Sequence, residues 1–206
     1  MKRLIVSDAD STFFRQEVIE LIAEHAGTKD EVAAITERAM RGELDFAASL
    51  RERVATLAGV PVEALEKVRA AVELMPGARE LVAECQARGW AFGLVSGGFE
   101  EVAGPIAHDL GIELVRANRL EVTGGVLTGR TVGPVIDRAA KAATLREWAE
   151  KLDIPLEHTV AVGDGANDLD MIALAGVGVA FNAKPVVRAQ AAHAIEGRLD
   201  AVLDLL

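Results

Sequence analysis

Four short apolar runs constrain this chain most: Leu4-Ile5-Val6, Ala91 to Val95, Val160-Ala161-Val162 and Val177-Gly178-Val179. Continuous runs of this length, separated by stretches with helical periodicity, are the pattern of parallel strands covered on both faces by helices. The expected fold is α/β, a Rossmann-like parallel sheet core. About eighty residues separate the first two runs, far more than one crossover helix uses. Something is inserted there.

Within that stretch Val18, Ile19, Leu21 and Ile22 form one helical stripe, and Phe46, Leu50, Val54 and Leu57 form a second. Thr28 to Arg41 and Pro61 to Val72 supply two more helical segments, punctuated by Gly27, Gly42 and Gly59-Val60-Pro61. An inserted α-helical bundle is therefore expected as a cap over residues 14–75, on a core made of 1–13 and 76–206. Met75-Pro76-Gly77 marks the return to the core. Leu120-Glu121-Val122 and Val126-Leu127-Thr128, joined through Thr123-Gly124-Gly125, read as a hairpin.

Composition narrows the partners. The formal net charge is -10, with no basic stripe to offset it. A nucleic-acid or anionic membrane surface would repel such a chain, so small-molecule partners are expected. The longest apolar stretch, Met171 to Phe181, is far shorter than the roughly 20 residues that span a bilayer, and it reads as buried. The run after Met1-Lys2-Arg3 is too short for a signal-peptide core, and Cys85 has no second cysteine to pair with. Both features fit a reducing cytoplasm, with Cys85 as a core thiol. Oligomeric state is left open between monomer and homodimer.

The chemistry-bearing residues sit where the apolar runs end. Asp8 and Asp10 follow the first run, and an i, i+2 spacing in extended chain would send both carboxylates to one side. Strand carboxyl ends are where open parallel sheets bind ligands, although such acids also serve as helix caps. Gly163-Asp164-Gly165-Ala166-Asn167-Asp168 follows the third run and adds Asp164 and Asp168. Carboxylates from two strand ends, completed by a substrate phosphate, suit Mg²⁺, which requires oxygen ligands. Glycine is missing where a dinucleotide fingerprint would need it, since Asp168 occupies that place. Ser96-Gly97-Gly98, between the second run and a helix beginning near Phe99 or Glu100, offers a hydroxyl and backbone N–H groups for a phosphate. The spacing of a nucleophile elbow is absent, and His25, His108, His158 and His193 stand in no motif. Lys141 begins a helix with Leu145, Trp148 and Leu152 on its apolar face. Alone it reads as a solvated lysine, yet a carboxylate attacking a phosphate needs such a fixed cation.

Taken in order, D-x-D-S-T from Asp8, Ser96-Gly97-Gly98, Lys141 and G-D-G-x-N-D from Gly163 resemble the haloacid dehalogenase-like phosphatases. Glu17, Ser49-Leu50-Arg51-Glu52-Arg53, Val95 to Phe99 and Ala117-Asn118-Arg119-Leu120 extend the resemblance to the phosphoserine phosphatase family. That resemblance implies hydrolysis of O-phosphoserine, the last step of serine biosynthesis. It makes Asp8 the nucleophile, Asp10 the general acid and base, Ser96 and Gly97 the phosphate cradle, and Lys141 the charge neutraliser. It also implies Mg²⁺ held by Asp8, the Asp10 carbonyl and Asp164, with Asn167 and Asp168 in support. Glu17 would pair with the substrate ammonium and Arg53 with its carboxylate, a match of charge and fork geometry. Arg51 and Arg53 face different ways on a helix, so only one can enter the pocket. Met40 and Phe46 correspond to apolar cap positions that would shield the reaction, and they serve equally well as bundle core. Members of the family often carry extra N-terminal regulatory domains; a first strand beginning near Lys2 leads us to expect no feedback through one. Alternatives are a phosphotransferase to an alcohol such as homoserine, a phosphatase for another small ester, and, far behind, a receiver-like signalling module.

Overall fold

The computed structural model describes residues 2–40 and 43–206, with the side chain of Met40 outside the description. The role expected for that side chain therefore lies outside the described residues. Strand β1 (Leu4–Ser7) leads through one irregular turn, Ala9–Phe13, into helices α1 (Val18–Ala26), α2 (Lys29–Met40), α3 (Phe46–Ala55) and α4 (Ala64–Ala71). Then come α5 (Ala78–Ala87), β2 (Ala91–Phe99), α6 (Glu100–Asp109), β3 (Leu114–Thr123), β4 (Val126–Val132) and α7 (Arg138–Lys151). The chain continues through β5 (Thr159–Gly163), α8 (Leu169–Leu174), β6 (Val177–Phe181), α9 (Pro185–Arg188) and β7 (His193–Ile195) to a 3₁₀ segment at Leu199–Leu205.

The strands form one sheet in the order β4-β3-β2-β1-β5-β6-β7. All neighbours are parallel except β3 and β4. The α/β expectation holds, and the period of two explains why continuous apolar runs were needed. Ile5, Val160, Val162, Val179 and Phe181 enter the apolar cluster on one face. Leu4, Val6, Ala161 and Ala180 enter the cluster on the other. Met171 to Phe181 is accounted for by α8 and β6 between those layers, and among the described residues no helix is long and apolar enough to cross a membrane.

Two expectations are refined, and one strand is added. The hairpin turns at Gly124-Gly125, both with positive φ as a type I′ turn requires, but its arms are longer than the pattern implied. The first half of β3 pairs parallel with β2 before its second half pairs with β4. The helix expected near Phe99 or Glu100 starts at Glu100, and β2 runs beyond its apolar residues through Ser96-Gly97-Gly98 to Phe99. The short edge strand β7 carried no readable signal, because three residues are too few to display a period.

Helices α1 to α4 lie between β1 and α5, in the stretch that separates the first two strands. Its two crossings pair with each other: Met75 N–H donates to the Phe13 carbonyl at 2.8 Å, and Arg15 N–H to Glu73 at 2.9 Å. The far end of the insertion is tied to the hairpin, where Gly59 N–H reaches Leu127 at 2.8 Å and Val62 N–H reaches Gly125 at 2.9 Å. One apolar cluster runs from Phe92 and Leu94 in the sheet through Phe13 and Phe14 to Ile22, Leu50 and Leu57. These ties hold the helices over the end of the sheet where β1 and β5 stop.

Candidate active site

The cavity between sheet and helices has a volume of about 910 Å³. It is lined from the sheet side by Asp8, Asp10, Ser96, Gly97, Asp164 and Asn167, and from the helices by Glu17, Phe46 and Arg53. Residues expected from distant motifs thus meet in one space. Arg51 faces away, exposed, with its Nε on the Ala47 carbonyl at 3.1 Å. Of these two arginines Arg53 is the one that lines the cavity, the one the resemblance favoured.

Asp8 leaves β1 with its N–H on the Val162 carbonyl at 2.9 Å, which locks the ends of β1 and β5 together. The chain then turns, so Asp8 and Asp10 share the cavity through that turn and not through the extended alternation expected. Lys141 is fully buried, contrary to its reading in isolation. Its Nζ donates to Asp8 Oδ1 at 2.6 Å and to Asp168 Oδ1 at 2.7 Å. Asp137 starts α7 by accepting from Ala140 N–H at 2.9 Å, which sets Lys141 in the first turn, facing the strand ends. The other oxygen of Asp168 accepts from Gly165 N–H at 3.0 Å, so each of its oxygens has a partner.

Asp8, Asp164 and Asp168 each offer an oxygen, all within 4.8 Å of one another. One ammonium among three carboxylates leaves an excess of negative charge. Burial and Asp168 push the Asp8 carboxyl well above the usual carboxylate range, against the pull of Lys141. Burial, then Asp168, push Asp164 up to about 6. Burial opposes the Lys141 charge, but Asp168 and Asp8 outweigh it and hold the ammonium charged. An all-oxygen group with unbalanced negative charge fits a hard divalent cation.

Asp10 differs from Asp8. Its Oδ1 is buried without a hydrogen-bond partner. Burial and the Glu17 carboxylate raise its pKa well above the ordinary value, with Lys141 and the Val18 N–H pulling the other way. A carboxyl so placed keeps a proton to give. Gly98 lies against it, since a Cβ there would come 2.7 Å from Asp10 Oδ2. Gly97 lies under Phe46, whose ring would be 2.9 Å from an added Cβ. Ser96 is buried, and its Oγ accepts from Gly98 N–H at 2.8 Å. Arg53 is partly desolvated, and burial lowers its pKa while Glu17 supports its charge.

The sequence reading missed two positioning side chains. Thr12 Oγ1 donates to Asp164 Oδ1 at 3.0 Å. Buried Asn118 donates to the Gly97 carbonyl and accepts from Ile136 N–H, both at 2.8 Å. Thr12 stood inside the D-x-D-S-T motif, and Asn118 inside a stretch quoted for its resemblance, but neither bond has a local sequence signal. Cys85 is buried away from the cavity, its thiol pushed up to about 12 by burial, as a core residue.

The family model for haloacid dehalogenase-like hydrolases matches residues 5–173. This chain belongs to that family. As a haloacid dehalogenase-like hydrolase it is 53% identical over 206 residues to a phosphoserine phosphatase of Mycobacterium tuberculosis, covering all of this chain and 50% of the relative. It therefore spans about half the length of that protein. To the phosphoserine phosphatase of Streptococcus thermophilus it is 51% identical, covering all of this chain and 96% of the relative. A solved structure described as a phospho-aspartyl intermediate analogue of phosphoserine phosphatase superposes with a TM-score of 0.93 at 42% identity, covering 100% of this chain and 99% of that one.

Two predictions follow from the charge balance. Lys141→Met leaves Asp8 and Asp168 buried without their cation and should cost about 3–5 kcal/mol near neutral pH. Urea denaturation should find the loss shrinking as acid protonates the carboxyls. For Asp164 the folded-state pKa of about 6 exceeds the ordinary 3.8. Between those values the folded protein holds a proton that the unfolded chain releases. In chelator-treated protein this carboxyl's contribution to stability should therefore fall as pH rises through that window, at up to about 1.4 kcal/mol per pH unit. Asp164→Asn should flatten the profile over that range.

Proposed function

We propose that this chain is a Mg²⁺-dependent phosphatase that hydrolyses O-phospho-L-serine to L-serine and phosphate through a phosphoaspartate on Asp8. The observation that carries the reading is a single cavity with two differently equipped walls. Asp8, Asp10, Ser96 and Gly97 line one, while Glu17 and Arg53 line the other. The first set suits a phosphoryl group; the second, an ammonium and a carboxylate. The relatives' names agree with that pairing. We treat 14–75 as a cap on a core of 1–13 and 76–206, and place the protein in the cytoplasm with a small-molecule partner.

In the proposed reaction the Arg53 guanidinium takes the substrate carboxylate, and Glu17 takes its ammonium. The phosphoryl oxygens are received by the Ser96 hydroxyl and the Gly97 backbone N–H. Lys141 holds Asp8 by Oδ1, leaving Oδ2 for in-line attack on phosphorus. As that O–P bond forms, the bond from phosphorus to the serine oxygen breaks, and Asp10 donates its proton to the departing oxygen. Asp10, now ionised, takes a proton from water as the water oxygen attacks phosphorus, which returns Asp8 as a carboxylate and releases phosphate. Asp8, the Asp10 carbonyl and Asp164 would hold Mg²⁺, which supplies charge neutralisation for nucleophile and phosphate. Asn167 would support substrate or metal from the cavity wall. Asp168 belongs to the same acidic group, and we assign it mainly to orienting Lys141, because both its oxygens are engaged. Phe46 lies over Gly97 and would exclude water from the phosphoryl group.

Phosphate release from a panel of small phosphate esters tests this reading. Asp8→Asn should lower turnover by at least ~10³-fold with the fold intact. Glu17→Ala and Arg53→Ala should each raise KM for phosphoserine about ten- to a hundredfold, the worth of a charged hydrogen bond. Retention of full selectivity for phosphoserine by both cap variants would defeat the substrate assignment and leave the chemistry standing.

A further inference from the structure

Among the described residues, three other than glycine have positive φ: Ser11, Asp153 and Asn182. Asp and Asn tolerate that region, whereas a serine there is unusual. Ser11, at φ 58 and ψ 0, is also the one that adjoins the catalytic carboxyl Asp10. Glycine would be the residue of least strain at this position, so the hydroxyl calls for an explanation.

Its contact supplies one. Ser11 Oγ donates to Glu17 Oε1 at 2.6 Å, a short bond of the charge-assisted class. Glu17 stands at the N-cap of α1, yet its side chain caps no backbone N–H, so the helix does not hold it. Ser11 is not among the residues that line the cavity, whereas Glu17 is. Any effect of Ser11 on a ligand therefore passes through Glu17. The flanking residues already have partners or tasks: Asp10 is the buried acid and Thr12 holds Asp164. The strained turn thus sends Ser11 to Glu17 and Thr12 to Asp164, while Asp10 lines the cavity itself.

We infer that Ser11 is a specificity-positioning residue: its hydroxyl fixes the Glu17 carboxylate so that phosphate esters bearing an ammonium group are preferred over those without one. This rests on the reading of Glu17 as the ammonium partner. A glycine at position 11 would relax the backbone and release Glu17 to rotate, weakening selection while the fold is retained.

The test compares wild type, Ser11→Gly, Glu17→Gln and the double variant. Two ligands are used: O-phospho-L-serine as substrate and its deamino analogue, 3-phosphooxypropanoate, as competitive inhibitor. Ser11→Gly should unfold in urea at no lower concentration than wild type. It should raise KM for phosphoserine about tenfold while the inhibition constant of the analogue moves by less than about twofold. Adding Ser11→Gly to Glu17→Gln should have no further effect on KM. An unchanged KM in Ser11→Gly, with a raised one in Glu17→Gln, overturns the role of Ser11 alone. Equal weakening of both ligands by Ser11→Gly overturns it too, as a general structural effect. An unchanged KM in Glu17→Gln overturns the ammonium reading, and this inference with it.

Discussion

The site depends on one buried ammonium. Lys141 has no solvent contact, and its Nζ bridges Asp8 and Asp168, residues 133 and 27 positions away in the chain. An unpaired charge at such depth would be prohibitive, so the three residues are mutually required. The bridge ties the end of β1 to the first turn of α7 and to the loop ahead of α8. That loop is shaped in turn by Asp168: its second oxygen holds Gly165 N–H, and a Cβ at Gly163 would come within 2.4 Å of its carboxyl carbon. The glycine of the motif is therefore a clearance requirement.

Around that bridge negative charge is deliberately in excess. Three carboxylates face one lysine, and the raised pKa values of Asp8 and Asp164 record an arrangement that gains from a divalent cation and phosphate together. Asp10 stands apart from the bridge, with an unpartnered oxygen and a carboxylate neighbour in Glu17. Environment separates two aspartates two residues apart: Asp8 is held by the Lys141 ammonium, while Asp10 has an oxygen with no partner beside the Glu17 carboxylate, the contrast on which the proposed division of roles rests.

Much of this was legible before any coordinates. The apolar runs marked the four central strands because strands covered on both faces leave no polar alternation. Gly124-Gly125 marked the hairpin because glycines readily take the positive φ that its tight turn uses at both residues. Asp8, Asp10, Asp164 and Asp168 were visible because function collects at strand ends. The depth of Lys141 was not visible, since its helix face looks ordinary until Asp8 and Asp168 arrive from elsewhere. Thr12 to Asp164 and Asn118 to Gly97 are bonds across the fold, spanning 152 and 21 positions. Turns of β1 and register of β2 decide them, and neither leaves a periodic trace. The continuation of β2 through Ser96 to Phe99 was not visible because the apolar run stops at Val95; of the two glycines that follow, the first clears Phe46 and the second clears Asp10.

The covalent role of Asp8 is the claim on which the account turns. The most direct measurement is rapid acid quenching of the protein during turnover of O-phosphoserine, followed by peptide mass spectrometry with the phosphoryl group localised to a residue. A phosphoryl group on Asp8, formed and lost at rates that match turnover, is the predicted result. Normal turnover with Asp8 unmodified throughout, or a phosphoryl group on Asp10 instead, would contradict it.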